Sequence, residues 1–204
     1  MNEMKMMKTA ARLDTFFKVM QRIIAAAMIV MVAVVGVLTV VNAVNPEAVI
    51  GEDFHMIDIG PITVELAEEL APDNGAVLTY AWIAVVLGLG AAAATYWAFG
   101  CIRKILEPMK VGDPFHETAG GNIKKVAYAV LLWGVVENAG KLLETSAALR
   151  YFNFDSLAAG GDIRSITVNY HFDLTFLLVF FLLLLVSYIF RYGTELQRLS
   201  DETL

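Results

Sequence analysis

The chain has 204 residues, 58% hydrophobic and 18% charged, against roughly 45–50% apolar and about 25% charged in an ordinary soluble domain. That excess must be solvated by lipid, and the net charge of -6 argues against direct nucleic-acid binding through a general basic surface. One cysteine, Cys101, excludes an intrachain disulfide and a cysteine-cluster metal site, and the uncharged runs leave no room for a separate soluble catalytic domain.

Residues 1–22 read as a cytoplasmic amphipathic N-terminus, in which Phe16, Phe17 and Met20 share one helical side with basic residues interleaved. Such a segment suits an anionic leaflet or the docking of a cytosolic partner. Residues 23–44 hold no charge, and at about 1.5 Å per residue they cover the roughly 30 Å hydrocarbon layer as transmembrane helix 1. A cleavable signal peptide competes for this stretch, but signal apolar regions usually run about 7–15 residues, so an uncleaved anchor is favoured. An acidic external loop (45–75) leads to transmembrane helix 2 (76–102), then to a basic cytoplasmic loop (103–125). Transmembrane helix 3 (126–149) opens as VAYAVLLWGVV and then meets Glu137, Lys141 and Glu144, so its apolar character supports only its first half. A second external loop (150–173), transmembrane helix 4 (174–190) and a cytoplasmic tail (191–204) complete one membrane domain.

Charge sorting decides the third crossing. Short cytoplasmic segments retain Lys and Arg, whereas exported ones lose them. Residues 1–22 carry five basic side chains, residues 103–125 another five, and the tail carries Arg191 and Arg198; residues 45–75 carry none and hold eight acids. Four crossings place all three basic segments on one side, with both termini cytoplasmic. Arg150 and Arg164 in the second external loop breach the rule slightly.

In the external loops, residues 54–59 and 62–65 alternate apolar and polar around Gly60-Pro61, and residues 163–170 read as a further strand after Gly160-Gly161. A small extracytoplasmic β cap is expected, with the third strand supplying what a lone hairpin lacks. Between spans two and three, Asp113-Pro114-Phe115 resembles a helix start with Asp113 as N-cap and Pro114 at the first position. Gly120-Gly121 would end that short helix, and Asn122 would cap the third span.

Gly112-Asp113-Pro114-Phe115, followed by Asn122, the pair Lys124-Lys125 and a span, together with the tail from Gly193 to Leu204, resembles the bacterial membrane proteins grouped as domain of unknown function 2975. The similarity, with its four-span plan, covers most of the chain. It implies a multi-pass protein of the bacterial inner membrane, in a family whose members are often encoded beside a small helix-turn-helix regulator. It implies no catalytic residues.

Spacing along the third span places Ala127, Val130, Gly134, Glu137, Lys141, Glu144 and Ala148 on one helical side, with Leu132, Val135, Val136 and Leu143 opposite. The charged stripe should face protein. Ala81, Ala84, Gly88, Ala91, Thr95 and Ala98 form a matching groove of small residues on the second span, its expected partner. Gly88, Ala91 and Gly134 are therefore the helix-packing candidates. The fourth span, mostly Leu, Phe and Val, should lie at the periphery against lipid. Glu137 falls near the middle of 126–149, where an isolated charge costs about 2.5–3.5 kcal/mol. A Glu137-Lys141-Glu144 ladder can offset part of that cost and serve as a polar clamp or an oligomer contact, and a proton or ion relay is the sharper alternative.

His55 and His171 lie near Asp58 and Asp173, but without ligand-like spacing no metal site is expected. No HExxH, Walker A, GxSxG or dinucleotide fingerprint occurs, so neither catalysis nor a cofactor is expected. The expected architecture is an all-α membrane protein of four antiparallel transmembrane helices with a small extracytoplasmic β cap. The expected role is a non-enzymatic binding, sensory or signalling module in contact with the lipid bilayer. A cytosolic transcription regulator would dock on Pro114, Phe115, Leu196 and Gln197. The rival is a homo-oligomeric conductor of ions or small solutes through the Glu137/Lys141/Glu144 stripe.

Overall fold

The computed structural model describes residues 2–45, 56–59, 62–65, 74–151 and 172–202. Four long helices dominate them: α1 (Asn2–Val44), α2 (Asn74–Met109), α3 (Thr118–Tyr151) and α4 (Thr175–Glu202), with a pair of strands, β1 (Met56–Ile59) and β2 (Ile62–Glu65), between α1 and α2. Each helix contains a stretch long and apolar enough to cross a membrane: Met4–Val44, Val77–Met109, Thr118–Leu143 and Thr175–Ser200. Helices are the form this composition demands, because hydrocarbon offers no partner to backbone N–H and C=O groups and an α-helix pairs them internally. The large side chains turned outward tell the same story. Ile29 is 71% exposed and Phe181 63% exposed, positions that water would penalise and acyl chains solvate.

The helices are longer than the apolar runs alone suggest. The amphipathic N-terminus and the first span form one 43-residue helix, since neither Gly nor Pro interrupts residues 2–35. That is about twice the roughly 20 residues a crossing needs. The tail likewise continues α4 to Glu202. At its start, Asp173 Oδ1 accepts the Thr175 N–H at 2.8 Å, which caps the helix.

Contacts group the chain into two units: residues 1–28, 89–137 and 173–204, and residues 29–88 and 138–172. In the first, α1 and α2 run antiparallel with Ala10, Asp14, Phe17 and Gln21 on one and Tyr96, Phe99, Arg103, Leu106 and Lys110 on the other, both at alternating three- and four-residue steps. Phe17 and Phe99 meet at a ring-centroid distance of 5.1 Å. The α3–α4 pair is also antiparallel. Tyr128 packs on Phe180, Gly134 lies under Phe176, and the buried Ser187 Oγ donates to the Gly120 carbonyl at 2.8 Å. Ala119, Ala127, Ala129 and Ala94 are buried in this unit, small side chains that let helices approach closely.

In the second unit α1 and α2 again pair. Met31 fills the space over Gly88, where an added Cβ would sit 3.1 Å from its sulfur. Trp82 Nε1 donates to Thr39 Oγ1 at 3.0 Å, and Thr39 Oγ1 donates to the Val35 carbonyl. Strands β1 and β2 pair antiparallel from Met56–Glu65 to Ile59–Ile62, where alternation expected them. The third strand expected at 163–170 lies outside the described residues, and no β cap is supported; the described architecture is the set of four helices with one antiparallel pair of short strands.

The turn between α2 and α3 departs from expectation. No short helix begins at Asp113, and Gly120-Gly121 do not stop one: α3 starts at Thr118 and runs through both glycines and through Asn122. The physical reason lies in α4. A Cβ on Gly120 would stand 2.5 Å from Arg191 Cγ, 3.1 Å from the Ser187 carbonyl oxygen and 3.3 Å from the Arg191 nitrogen, whereas one on Gly121 would meet nothing within 4 Å. Gly120 is therefore a close-approach residue and not a helix stop.

These two neighbouring glycines make a matched test. Gly120→Ala is expected to lose about 1–3 kcal/mol through overpacking against α4 backbone, while Gly121→Ala should be neutral or gain up to about 1 kcal/mol of helix propensity. Denaturant unfolding in bicelles, followed by tryptophan fluorescence, reads both. Equal behaviour of the two variants would contradict the assignment.

Candidate functional site

The polar chemistry of the described residues gathers in the first unit, where α1, α2, the α2–α3 turn and α4 each contribute. On α1, Asp14 and Gln21 are two turns apart on one face; on α2, Tyr96, Arg103 and Lys110 repeat at seven-residue steps. Arg103 Nε donates to Asp14 Oδ1 at 2.9 Å, and Lys110 Nζ donates to Asp14 Oδ2. Arg103 Nη1 donates to Gln21 Oε1 at 2.9 Å, and Gln21 Nε2 donates to the Tyr96 carbonyl at 3.1 Å. Gln21 is buried, so its amide is committed at both ends, as a buried polar group must be. One carboxylate thus holds two cations from α2, and Arg103 serves both α1 acceptors with the fixed fork of its guanidinium.

Helix α2 ends in a tight motif that sets the turn. Pro108, in its last turn, lacks an N–H to continue the ladder. Gly112 takes φ 90°, the Gly112 N–H reaches the Met109 carbonyl at 3.4 Å, and the Asp113 N–H reaches Pro108 at 3.1 Å. This is a Schellman-type C-cap in which only glycine adopts the left-handed conformation without strain. Asp113 is accordingly the residue after the cap of α2, not the first of a new helix. Phe115 then docks on α4: its ring lies 5.5 Å from that of Phe190, a Cβ on Gly193 would sit 3.1 Å from it, and its carbonyl accepts Thr194 Oγ1 at 2.9 Å. His116, just before α3, accepts from its first turn, Nδ1 taking the Thr118 N–H at 3.3 Å and the carbonyl taking the Ala119 N–H at 2.9 Å. Between the end of α2 and the start of α3 opens a cleft of about 830 Å³ lined in part by Lys104, Glu107, Asp113, His116, Asn122 and Lys125. A smaller one, about 270 Å³, lies against α4 and is lined by Glu117, Arg191, Thr194, Glu195 and Arg198.

The residues singled out from sequence fall in several places. Phe115 and the start of the α4 tail come together, while Leu196 and Gln197 are exposed one turn further on and Pro114 is half-buried. Gly134 is covered by α4 through Phe176, not by α2, and Gly88 by α1 through Met31, not by α3. Ala91 is half-buried, and its carbonyl accepts Thr95 Oγ1. The contact found between α2 and α3 in the first unit is Gly90 against Val136, a residue expected on the lipid side. Glu137 is half-buried and belongs to the first unit; Lys141, exposed, belongs to the second, and the side chain of Glu144 lies outside the described residues. His55 and His171 also lie outside them. Asp173 is engaged as the α4 cap, and no group of three metal-ligating side chains occurs among the described residues. Helix α4 is not merely peripheral: one side faces outward through Leu178, Phe181 and Leu185, and the other carries the α3 and turn contacts.

Sequence reasoning passed over Asp14 and Gln21, and it expected Asn122 only as the cap of the third span, where the structure buries it inside α3 beside the cleft. Those two had a legible signal, a carboxylate and an amide seven residues apart on an otherwise basic amphipathic helix. The burial of Asn122 had none, since it depends on how the neighbouring helices pack.

A double-mutant cycle on Asp14→Ala and Arg103→Ala should return a coupling of about 1–2 kcal/mol, the usual range for hydrogen bonds to charged groups reduced for partial exposure. Arg103→Lys should recover less than half of what Arg103→Ala loses, because an ammonium cannot reach both acceptors in a fixed geometry. Additive effects in detergent unfolding would rule the clamp out.

No curated protein and no solved structure matches the chain. Residues 65–204, well over half of it, match the family described as "Protein of unknown function (DUF2975)", and that match includes the α2–α3 turn and the α4 contacts described above. This multi-pass membrane protein with four candidate spanning helices therefore belongs to that family of unknown function.

Proposed function

We propose that the protein is a non-enzymatic regulatory module of the bacterial inner membrane, with both termini in the cytoplasm, that binds a cytosolic helix-turn-helix regulator through the C-terminal half of α4. The observation that carries this reading is an apolar stripe that does not stop where the span's charges begin. Leu185, Tyr188, Tyr192 and Leu196 follow helical spacing past Arg191, with Tyr192 64% exposed and Leu196 50% exposed, a pattern suited to packing against a partner helix. Phe115, Gly193 and Thr194 fix the opposite side of the same helix to the α2–α3 turn, so the stripe is held by a pre-formed scaffold. The orientation draws support from charge: twelve of the 15 Lys and Arg residues fall in the first unit, which contains this end of α4.

The test uses the full chain in nanodiscs and a purified regulator of this class. Saturable binding is expected, weakened at least about tenfold by Tyr192→Asp with Leu196→Asp while the melting temperature stays unchanged. Absence of binding, or binding indifferent to both substitutions, would dismiss the proposal. Liposome flux abolished by Glu137→Gln would replace it with the conductor.

A further inference from the structure

We propose that the cleft between α2 and α3 holds the headgroup of a phospholipid bearing a primary ammonium beside its phosphate, a phosphoethanolamine-type group. The proposal rests on the membrane-spanning helices and on this cleft, and is independent of the regulator reading. Its volume, about 830 Å³, falls within the range of clefts that take small polar ligands.

Asn122 is the first indication. It lines the cleft and is only 6% exposed, yet its amide has no hydrogen-bond partner among the described residues. In this position its two N–H donors are available to a phosphate oxygen. The charges are the second indication. Lys104, Lys125, Glu107 and Asp113 all line the same cleft, and none of the four has an ion-pair partner among the described residues, whereas Lys110 and Arg103 on the neighbouring face of α2 are engaged by Asp14. Two cations and two carboxylates together fit a group carrying both signs better than a simple anion.

Their order along the helices matches that of such a headgroup. Lys104 precedes Glu107 by three residues on α2, and Lys125 follows Asn122 by three on α3, each step being about 4.5 Å along the axis. Both lysines therefore sit deeper in their helices, toward the hydrocarbon, and Glu107 and Asp113 sit nearer the turn. In a bilayer the phosphate is tied through glycerol to the acyl chains and the amine lies beyond it. The two lysines at the deeper level, with Asn122 one step nearer the turn, would take the phosphate as donors, and the two carboxylates would accept from the ammonium. A trimethylated amine, without N–H donors, would lose those last bonds.

The experiment uses the full chain in mixed micelles containing phosphatidylethanolamine, phosphatidylglycerol or phosphatidylcholine, with retained lipid read by native mass spectrometry. Phosphatidylethanolamine should be retained preferentially. Removal of either Lys104 or Lys125 as alanine should cut that retention about fivefold. Glu107→Gln with Asp113→Asn should erase the preference over phosphatidylglycerol. Asn122→Leu should weaken retention without lowering the melting temperature of the delipidated protein, an outcome opposite to that of a purely structural asparagine. Equal retention of the three lipids, or retention unchanged in the lysine variants, would overturn the proposal. So would displacement by soluble glycerophosphoethanolamine as effective as by the lipid, which would make the ligand a free solute.

Discussion

Helices surrounded by acyl chains gain little from burying leucine against leucine, because the solvent they leave is as apolar as the contact they enter. Association then depends on close backbone approach and on hydrogen bonds made away from water. The contact between Gly120 and Ser187 combines both: the missing side chain brings α3 and α4 together, and the hydroxyl spends its proton on the carbonyl so exposed. Much of the first unit follows from it. Were α4 a residue's width further out, Phe115 would lose Phe190 and Thr194, and the turn after α2 would lose its anchor.

Polar groups do the corresponding work between α1 and α2. Asp14 would be costly alone so near apolar helices, and two cations from α2 offset that cost while Gln21 carries the network to a backbone carbonyl. The pattern specifies register as well as adhesion, since a one-turn slip would separate Arg103 from both acceptors. In the second unit, Trp82 with Thr39 and Met31 over Gly88 fulfil the same two requirements with neutral groups.

Function is most readily drawn from the side chains that folding does not use. Around the α2–α3 turn the committed groups are Asp14, Arg103, Lys110, Phe115 and His116, each with a named partner. Lys104, Lys125, Glu107 and Asn122 border the cleft between them without one among the described residues. The exposed α4 stripe is similarly surplus to packing. A scaffold held by one set of contacts and presenting another is what a binding module requires.

Uninterrupted apolar runs and the sorting of basic residues made four helices legible from sequence, because crossing hydrocarbon leaves the backbone no alternative and length and charge are local properties. The paired strands Met56–Ile59 and Ile62–Glu65 were legible for a similar reason, their period of two being written in adjacent residues. Which helix covers Gly88 or Gly134, why Gly120 continues α3 instead of ending it, and that Asn122 is buried beside a cleft were decided only by tertiary packing. A glycine reads the same in a stop and in a close contact; what distinguishes them is whether another helix occupies the space its side chain would have filled.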